Sequence, residues 1–303
     1  MTAQEPSRLK TLWQRLTDHL STKALVAGLA IVVLLVWVAA FSLPDGKLHV
    51  TFLDVGQGDA IFIQTPRGQK VLVDGGPSPT TLLAALGRRM PFWDRAIDLV
   101  VLSHPHDDHV SGLIPVLKRY RVKAFLDGGQ EHPTPAYTHC LELIQEKGIS
   151  YQLAQLGMQI QLDEGLQMRV LHPQGELLSG TDSDVNNNSI VLRLVYGRIS
   201  FLLAGDVEEE AEAVLLFSNE DLASTILKSP HHGSDTSLNL RFLEVVNPQV
   251  AVIQVGADNQ FGHPDPTTLA KLEEHGVMVL RTDQNGTVEV ISDGERYWIK
   301  AER

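Results

Sequence analysis

The chain has 303 residues, of which 43% are hydrophobic and 20% charged, and this composition predicts one large folded domain with an accessory segment. Its formal net charge of −12 argues against a protein that holds duplex DNA by charge alone. A nucleic-acid substrate would need metal ions and local basic patches, for which residues 88–89 and 118–121 are candidates unless they are solvated helix ends. The single cysteine, Cys140, excludes an internal disulfide and a cysteine-based zinc cage, and a position on an apolar helix face is expected for it.

The N-terminal part of the chain predicts a membrane anchor. Residues 1–23 are polar and contain more basic than acidic residues, and residues 24–43, ALVAGLAIVVLLVWVAAFSL, carry no charge, which suits a helix across a hydrocarbon layer of about 30 Å. Basic residues before this run favour a cytoplasmic N-terminus, a single-pass helix in the cell membrane and an extracytoplasmic C-terminal domain. A cleaved signal peptide ending near Val38-Ala39-Ala40 is the alternative, although the apolar run exceeds the usual core of about 7–15 residues.

From Leu48 onwards the pattern changes to short strands and helices, which predicts a layered α/β sandwich over residues 48–303. The predicted strands are residues 48–53, 60–65, 70–73, 97–102, 124–126, 158–162, 167–172, 190–196, 199–204, 250–255, 277–282 and 287–291, and residues 226–229 are predicted to end a further strand. The predicted helices are residues 80–89, 110–120, 136–147 and 207–216. Asn285-Gly286 predicts a hairpin between the last two strands. The glycine-rich loop 54–59 is followed by a strand, not a helix, which disfavours a nucleotide fingerprint.

Five side chains that can bind a metal occupy six consecutive positions, 104–109, directly after the predicted strand 97–102. The pattern is His-x-His-x-Asp-His. In an extended segment His104 and His106 point to the same side and can share one ion, while Asp108 and His109 lie where the chain turns into a helix and can reach a second. Imidazoles and carboxylates are costly to bury unless they are paired or coordinated, so the cluster indicates a metal site rather than solvated loop histidines.

Further segments extend this pattern. These segments are residues 53–60, 73–76, 204–206, 230–234, 262–264 and 282–286, and they are considered together with the histidine cluster. In this order they resemble the metallo-β-lactamase superfamily, and most closely the β-lactamase-like domain that ends the ComEC family of DNA-uptake proteins. The resemblance covers residues 48–299. It implies an αββα metallo-β-lactamase sandwich, here preceded by one transmembrane helix, with two divalent ions, zinc or manganese.

The resemblance also implies roles for individual residues. The implied metal ligands are His104, His106, Asp108, His109, Asp206 and His231 or His232. His232 is favoured because a Gly-Ser turn follows it. Asp206 would bridge the two ions with one oxygen on each, and a helix N-cap is its alternative role. Asp108 and His263 are the catalytic candidates, with His263 as a phosphate contact or a proton donor, unless it is an ordinary loop residue.

Other positions are expected to support the site. Asp74 matches a motif residue that supports the site and does not ligate, and the remaining candidates for ligand support or substrate contact are Asp54, Gln57, Asp59, Asn186, Asn188 and Ser234. One departure concerns residues 182–189, which stand where many members supply a further histidine in a Gly-His-Thr setting. An oxygen-richer shell suits manganese or a weakly held first ion. ComEC-like domains share the Asn-Asn-Ser feature, and either Asp184, Asn186 or Asn188 ligates or the segment is an asparagine-rich turn.

Two neighbouring ions suit phosphodiester cleavage, because they activate water and neutralise charge on a displaced oxygen. The resemblance then implies a nuclease that acts on DNA at the outer membrane face during uptake, with competence channel proteins as candidate partners. Two alternatives remain. One is a hydrolase of a thioester, a lactam or a small phosphodiester, and the other is a non-catalytic, membrane-tethered DNA-binding partner.

Overall fold

The structure, a computed structural model, describes residues 22–41 and 43–303. The chain divides into two units, Met1–Leu43 and Pro44–Arg303. Helix α1, Thr22–Phe41, belongs to the first unit. Across the described ranges, no helix combines the length and apolar character that crossing a membrane requires. The predicted cytoplasmic segment, residues 1–23, lies outside the described residues up to Ser21. The predicted span, residues 24–43, includes Ser42, which is also outside them. The membrane anchor therefore stays a prediction.

The second unit contains all the strands described. They are β1, Leu48–Phe52; β2, Ile61–Gln64; β3, Lys70–Val73; β4, Ala96–Leu102; β5, Arg121–Asp127; β6, Ser150–Leu153; β7, Gln159–Asp163; β8, Leu166–His172; β9, Val191–Tyr196; β10, Ile199–Leu203; β11, Ile226–Lys228; β12, Val250–Ile253; β13, Met278–Arg281; β14, Val288–Ser292; and β15, Tyr297–Ala301. Its helices are α2, Pro79–Arg89; α3, Asp107–Val110; α4, Leu113–Arg119; α5, Pro135–Lys147; α6, Asp184–Asn187; α7, Glu209–Phe217; α8, Leu240–Val246; α9, Pro266–Glu274; and α10, Thr282–Asn285, with a 3₁₀ turn at Pro230–Gly233.

The strands form two mixed sheets. The first has eight strands in the order β15-β14-β1-β2-β3-β4-β5-β6, and the second has seven in the order β13-β12-β11-β10-β9-β8-β7. Strands β3 to β6 run parallel to one another, as do β10 to β13. Side chains from both sheets, among them Phe52, Val101 and Phe201, join in one buried core. The two sheets therefore lie face to face.

Helices cover the outer face of each sheet. Helices α2, α4 and α5 share a buried cluster with the first sheet, and α7, α8 and α9 share one with the second. The helical side chains in these clusters include Leu86, Leu117, Ile144, Leu215, Phe242 and Leu272. Cys140 is buried on the apolar face of α5, as expected. The layers run helix, sheet, sheet, helix, which confirms the predicted α/β sandwich.

The helix predicted after the histidine cluster is interrupted. Helix α3 ends at Val110 and α4 begins at Leu113. Between them the Gly112 N–H donates to the carbonyl of Gly76 at 2.9 Å, and a Cβ atom on Gly112 would lie 1.9 Å from the carbonyl oxygen of Gly75. Only glycine permits this approach. The break therefore lets the turn after β3 pack directly against the segment that carries the histidines.

The predicted hairpin at Asn285-Gly286 is wrong. Strand β13 pairs with β12 in the second sheet, whereas β14 pairs with β1 in the first. The Asn285 side chain accepts the Arg281 N–H at 2.9 Å, and Gly286 has a ψ angle of −151°, outside a type I′ turn. The Asn-Gly pair therefore ends α10 as the chain crosses between sheets. The pattern also does not predict β6, whose four residues are all exposed, or β15, where the apolar Trp298 lies between the partly buried Tyr297 and Ile299 and hides the alternation in the sequence.

His172, at the end of β8, is a buried histidine outside the histidine cluster. Its Nε2–H donates to the Asn187 carbonyl at 2.9 Å, and its Nδ1 has no partner. Burial lowers the pKa of His172 from 6.5 to about 4, and the Asn187 hydrogen bond opposes this only partly. As the pH falls from 6.5 towards 4, the unfolded chain takes up a proton that the folded chain does not. The contribution of neutral His172 to the free energy of unfolding is therefore present above pH 6.5 and is lost as the pH falls from 6.5 towards 4.

We expect His172→Gln, which keeps an amide donor for Asn187, to remove this pH dependence. At 1.36 kcal/mol per pKa unit, His172 alone makes the folded chain about 2 kcal/mol less stable at pH 5 than at pH 7. Urea unfolding at the two pH values should show a loss about 2 kcal/mol smaller in the variant than in the native chain. His139→Gln, at a partly exposed position, is the control. An equal loss in His172→Gln and the native chain would contradict the assignment.

Candidate metal centre

The side chains of the cluster are supplied at the carboxyl ends of strands in both sheets. Because β3 and β4 are parallel in one sheet and β10, β11 and β12 in the other, these ends meet along one edge of the sandwich. The residues delivered there are Asp74 after β3, His104 to His109 after β4, Asp206 after β10, Lys228 and His232 at and after β11, and Gln254 after β12.

His109 lies at the centre of this edge and is fully buried. Its Nδ1–H donates to Oδ2 of Asp74 at 3.0 Å. Its Nε2 lies 3.2 Å from Oδ2 of Asp206 and 3.9 Å from Oδ2 of Asp108, and it has no hydrogen-bond partner. A carboxylate that holds one ring nitrogen and thereby aims the other is the usual support of a metal-binding histidine. This is the supporting role implied for Asp74.

His232 repeats the arrangement from the second sheet. Its Nδ1–H donates to the carbonyl of Gln254 at 2.9 Å. Its Nε2 lies 3.2 Å from Oδ2 of Asp206 and 3.3 Å from Oδ2 of Asp108, and it too is buried without a hydrogen-bond partner. Two unpaired imidazole nitrogens thus face two carboxylates. This donor set fits a divalent cation.

His104 and His106 form a second pair of nitrogen donors. The Nε2 of His104 lies 3.0 Å from the Nδ1 of His106, and Nδ1 of His104 is within hydrogen-bond distance of the hydroxyls of Ser103 and Ser189 at 3.1 and 3.2 Å. Burial lowers the pKa of both histidines, so their rings are neutral. Ligand atoms of His104, His109 and Asp206 lie within 4.8 Å of one another. The two donor sets therefore meet at Asp206.

The electrostatics of the cluster also call for positive charge. Burial alone would lower the pKa values of His109 and His232, but Asp206 and Asp108 raise both well above the ordinary value. Burial would raise the pKa of Asp206, but His232, His109 and Lys228 hold it well below its usual range. A bound divalent cation would supply the charge that these carboxylates otherwise draw from protons and from Lys228.

Sequence reasoning missed Lys228, which is buried within the cluster. Its ammonium contacts Oδ2 of Asp59 and donates to Oδ1 of Asp206 at 3.2 Å and to the Gly205 carbonyl at 2.8 Å. Burial would lower the pKa of Lys228, but Asp59 and Asp206 raise it, so the amine stays charged. Since Lys228 occupies Oδ1, Oδ2 is the oxygen of Asp206 that faces both His109 and His232. The sequence signal that could have identified Lys228 is a lysine directly after the apolar residues Ile226 and Leu227.

Asp206 does not cap a helix, because α7 begins at Glu209 with Glu208 as its N-cap residue. Strained backbone lies close to the cluster. Asp74, His231 and His232 have φ angles of 60°, 44° and 53°, in the left-handed region that non-glycine residues avoid. Such strain concentrates at functional sites, where surrounding contacts hold it.

The structure separates His231 from the unpaired nitrogens. Its Nδ1 lies 3.2 Å from Glu208, and Asn186 lies 3.5 Å from its Nε2. The ring of His263 lies 5.6 Å from that of His231 and is stacked on the exposed Phe261 at 5.9 Å. Asn186 has a buried Oδ1 without a partner, so it is the residue of the asparagine turn with an oxygen left to bind. These residues form a rim beside the cluster.

The remaining predicted residues make hydrogen bonds and ion pairs outside the cluster. Asp54 pairs with Arg303 at 2.7 Å, and Gln57 accepts the Gly256 N–H at 3.1 Å. Asn188 bonds both backbone groups of Leu178. Asp184 caps the turn at Gly180 and Thr181, and Ser234 bonds Asp235 and Thr236. Of loop 54–59, Asp59 alone enters the cluster. Gly58 of that loop approaches protein, since a Cβ atom on it would lie 2.2 Å from the Asp108 carbonyl oxygen.

The basic patches lie in the last turns of α2 and α4. Helix α4 begins just after the histidine cluster, so Lys118 and Arg119 lie at its far end. Arg89 pairs with Glu302 at 3.2 Å. These patches therefore do not line the cluster.

The donors present fit two ions. His104, His106 and Asp206 would hold one, and Asp108, His109, His232 and Asp206 the other. The family model described as the metallo-β-lactamase superfamily matches residues 53–256. The chain belongs to that superfamily. Membership, together with the clustered histidines and aspartates, supports a metal-dependent hydrolase.

One relative is named a competence protein, and another is named for the ComE operon. The chain is 30% identical over 257 residues to ComE operon protein 3 of Bacillus subtilis, covering 80% of this chain and 32% of that protein. It is 30% identical over 253 residues to Competence protein ComA of Neisseria gonorrhoeae, covering 82% and 33%. The chain thus spans about a third of the length of these relatives. These matches confirm the predicted resemblance to the ComEC family.

A solved structure supports the fold. The metallo-β-lactamase fold protein YhfI of Bacillus subtilis matches with a TM-score of 0.53 at 13% identity, covering 84% of this chain and all (100%) of that one.

We expect His232→Ala to lose one bound ion per chain and His231→Ala to keep the native content. The two residues are neighbours with similar left-handed φ angles, so the backbone effect of substitution is matched, and only His232 has an unpaired nitrogen facing Asp108 and Asp206. Metal content after reconstitution with zinc or manganese would be measured by mass spectrometry. The reverse result would assign the ligand to His231.

Proposed function

We propose that the chain is a membrane-anchored, metal-dependent phosphodiesterase that cleaves DNA during uptake. The observation that carries the proposal is the pair of donor sets that share Asp206, with the unpaired nitrogens of His109 and His232 facing its Oδ2. When bound, two divalent ions supply an activated water and neutralise charge on a displaced oxygen, which is the chemistry that phosphodiester cleavage needs.

The chain's own residues support access of a phosphodiester to this edge. Asp108 has 33% of its side chain exposed, whereas His109, His232 and Asp206 are buried, so the site opens to solvent beside Asp108. Half-buried His263 lies at the rim, and its imidazole N–H is a hydrogen-bond donor for a phosphate oxygen. Lys228 and Asp74 fix the carboxylate of Asp206 and the ring of His109.

Support for DNA as the substrate comes from the relatives. Besides the two competence proteins, the chain is 28% identical over 246 residues to Recombination protein 2 of Haemophilus influenzae. The formal charge of −12 means that bound cations, and not a basic surface, would neutralise the backbone phosphates. Because the chain spans about a third of these relatives, competence channel proteins are proposed as partners that supply the passage for DNA.

The uncharged run over residues 24–43 supports the proposed anchor, with the N-terminus in the cytoplasm and residues 48–303 outside. We expect the full chain to stay in the membrane fraction after carbonate extraction, and its C-terminal domain to be degraded by protease added to spheroplasts. Release by carbonate would contradict the anchor, and protection from protease would contradict the orientation.

We expect the full chain in detergent, reconstituted with manganese or zinc, to cleave labelled DNA, and Asp108→Ala to lower the rate at least about 100-fold, the upper cost of disturbing a ligand's support. Asp107→Ala is the matched control, because Asp107 is its exposed neighbour in α3 and belongs to none of the donor groups found among the described residues. It should cleave at close to the native rate.

Other outcomes would replace the proposal. Turnover of a thioester, lactam or small phosphodiester without cleavage of DNA would assign a small-molecule hydrolase. DNA binding that persists in Asp108→Ala and His106→Ala, without cleavage by the metal-loaded native chain, would assign a binding partner.

A further inference from the structure

A pocket of about 580 Å³ lies between the edge strand β6 and helix α5. Its volume is in the range of small-ligand sites, about 300–1,000 Å³. Its lining combines apolar and aromatic walls with a few polar groups: Gln130, His132, Tyr137, Leu141, Tyr151 and Leu153. None of the proposed metal ligands lines it.

Exposed apolar side chains form one wall. Tyr151 and Leu153 are 41% and 49% exposed, and they occupy alternate positions of β6, so both point to the same face. The Tyr151 ring stacks on Phe125 with centroids 6.4 Å apart and planes inclined by 13°. Its hydroxyl donates to Asp127 at 2.8 Å, as that of Tyr137 does at 2.7 Å. The ring is therefore a fixed flat surface.

The pocket adjoins the metal centre through one residue. His132 lines the pocket, and its ring centroid lies 5.6 Å from that of His106. His132 is held by Thr134, whose hydroxyl also reaches the Pro105 carbonyl at 3.5 Å. A group in the pocket is thus one imidazole ring away from the proposed ligands.

The charge of the pocket lining determines which kind of ligand the pocket can bind. Glu131 and Glu142 line the pocket, and no lysine or arginine does among the described residues. Such a pocket repels phosphate. It suits a flat, neutral ring with amino groups at its edge, because carboxylates and the amides of Gln130 and Gln145 accept hydrogen bonds. Adenine, cytosine and guanine have this combination of a π face and an amino group.

We infer that the pocket binds an unpaired nucleobase whose neighbouring phosphodiester lies at the metal centre. The inference rests on the proposed nuclease function and deepens it. A base in a duplex is stacked and paired on all sides, so the pocket can take it only from a single strand or a frayed end. The enzyme therefore cleaves single-stranded DNA in preference to duplex.

The test compares Tyr151→Ala with the native, metal-loaded full chain on three substrates: a single-stranded oligonucleotide, the matching duplex, and an abasic deoxyribose oligomer of equal length. Tyr151→Ala should raise KM for the single strand roughly 5- to 150-fold, the loss of one base–aromatic stack. It should change KM for the abasic oligomer much less. Tyr151→Phe keeps the ring and should recover most of the affinity. Trp298→Ala, 44% exposed on the opposite edge strand β15, should behave as native.

Each contrary result overturns the inference. An equal loss on the single strand and the abasic oligomer would make Tyr151 a structural residue, and no loss would remove it from the site. Duplex cleaved as fast as single strand would exclude an unpaired base. A change of oligomeric mass in Tyr151→Ala would mean that a second copy covers the pocket. No cleavage of any substrate would overturn the proposed function itself, and this inference with it.

Discussion

The structure depends on four carboxylates at one edge of the sandwich, of which Asp59, Asp74 and Asp206 are buried and Asp108 is partly exposed. Removing such groups from water is costly unless each has a partner, and one buried ammonium, Lys228, cannot balance four of them. Asp74 finds the Nδ1–H of His109, and Lys228 joins Asp59 to Asp206. What is left over, Oδ2 of Asp206 and the carboxylate of Asp108, faces imidazole nitrogens that also lack partners. A bound cation would contact these carboxylate oxygens and imidazole nitrogens together.

The architecture explains how residues far apart in the chain meet at that edge. Each sheet contributes parallel strands, and parallel strands place their carboxyl ends on the same side. Two close backbone contacts, at Gly112 with Gly75 and at Gly58 with Asp108, then press the connecting loops together. The close packing leaves no room for a side chain at either glycine. The positions of the ligands therefore depend on the whole sandwich and not on the histidine segment alone.

Features that depend on neighbouring residues can be predicted from the sequence, whereas features that depend on contacts between distant residues cannot. The histidine cluster can be predicted because its residues are neighbours and their spacing matches an extended segment turning into a helix. The role of Lys228 cannot be predicted, because it depends on contacts to Asp59 and Asp206 that only the folded chain brings together. The same limit explains the Asn285-Gly286 error, since the local turn signal is overridden by Asn285 bonding Arg281 while the chain changes sheets. Edge strand β6 is not predicted because all its residues are exposed, and β15 is not predicted because the exposed Trp298 is as apolar as its partly buried neighbours Tyr297 and Ile299.

The edge strand β6 presents a separate constraint. An edge with exposed apolar side chains invites pairing with another chain, and proteins protect such edges with charge, twist or brevity. Strand β6 is only four residues long, yet it carries Tyr151 and Leu153 outward on the face beside α5. Phe125 and Asp127 hold the Tyr151 ring in place. The proposed nucleobase pocket would use this fixed, exposed aromatic ring as its stacking surface.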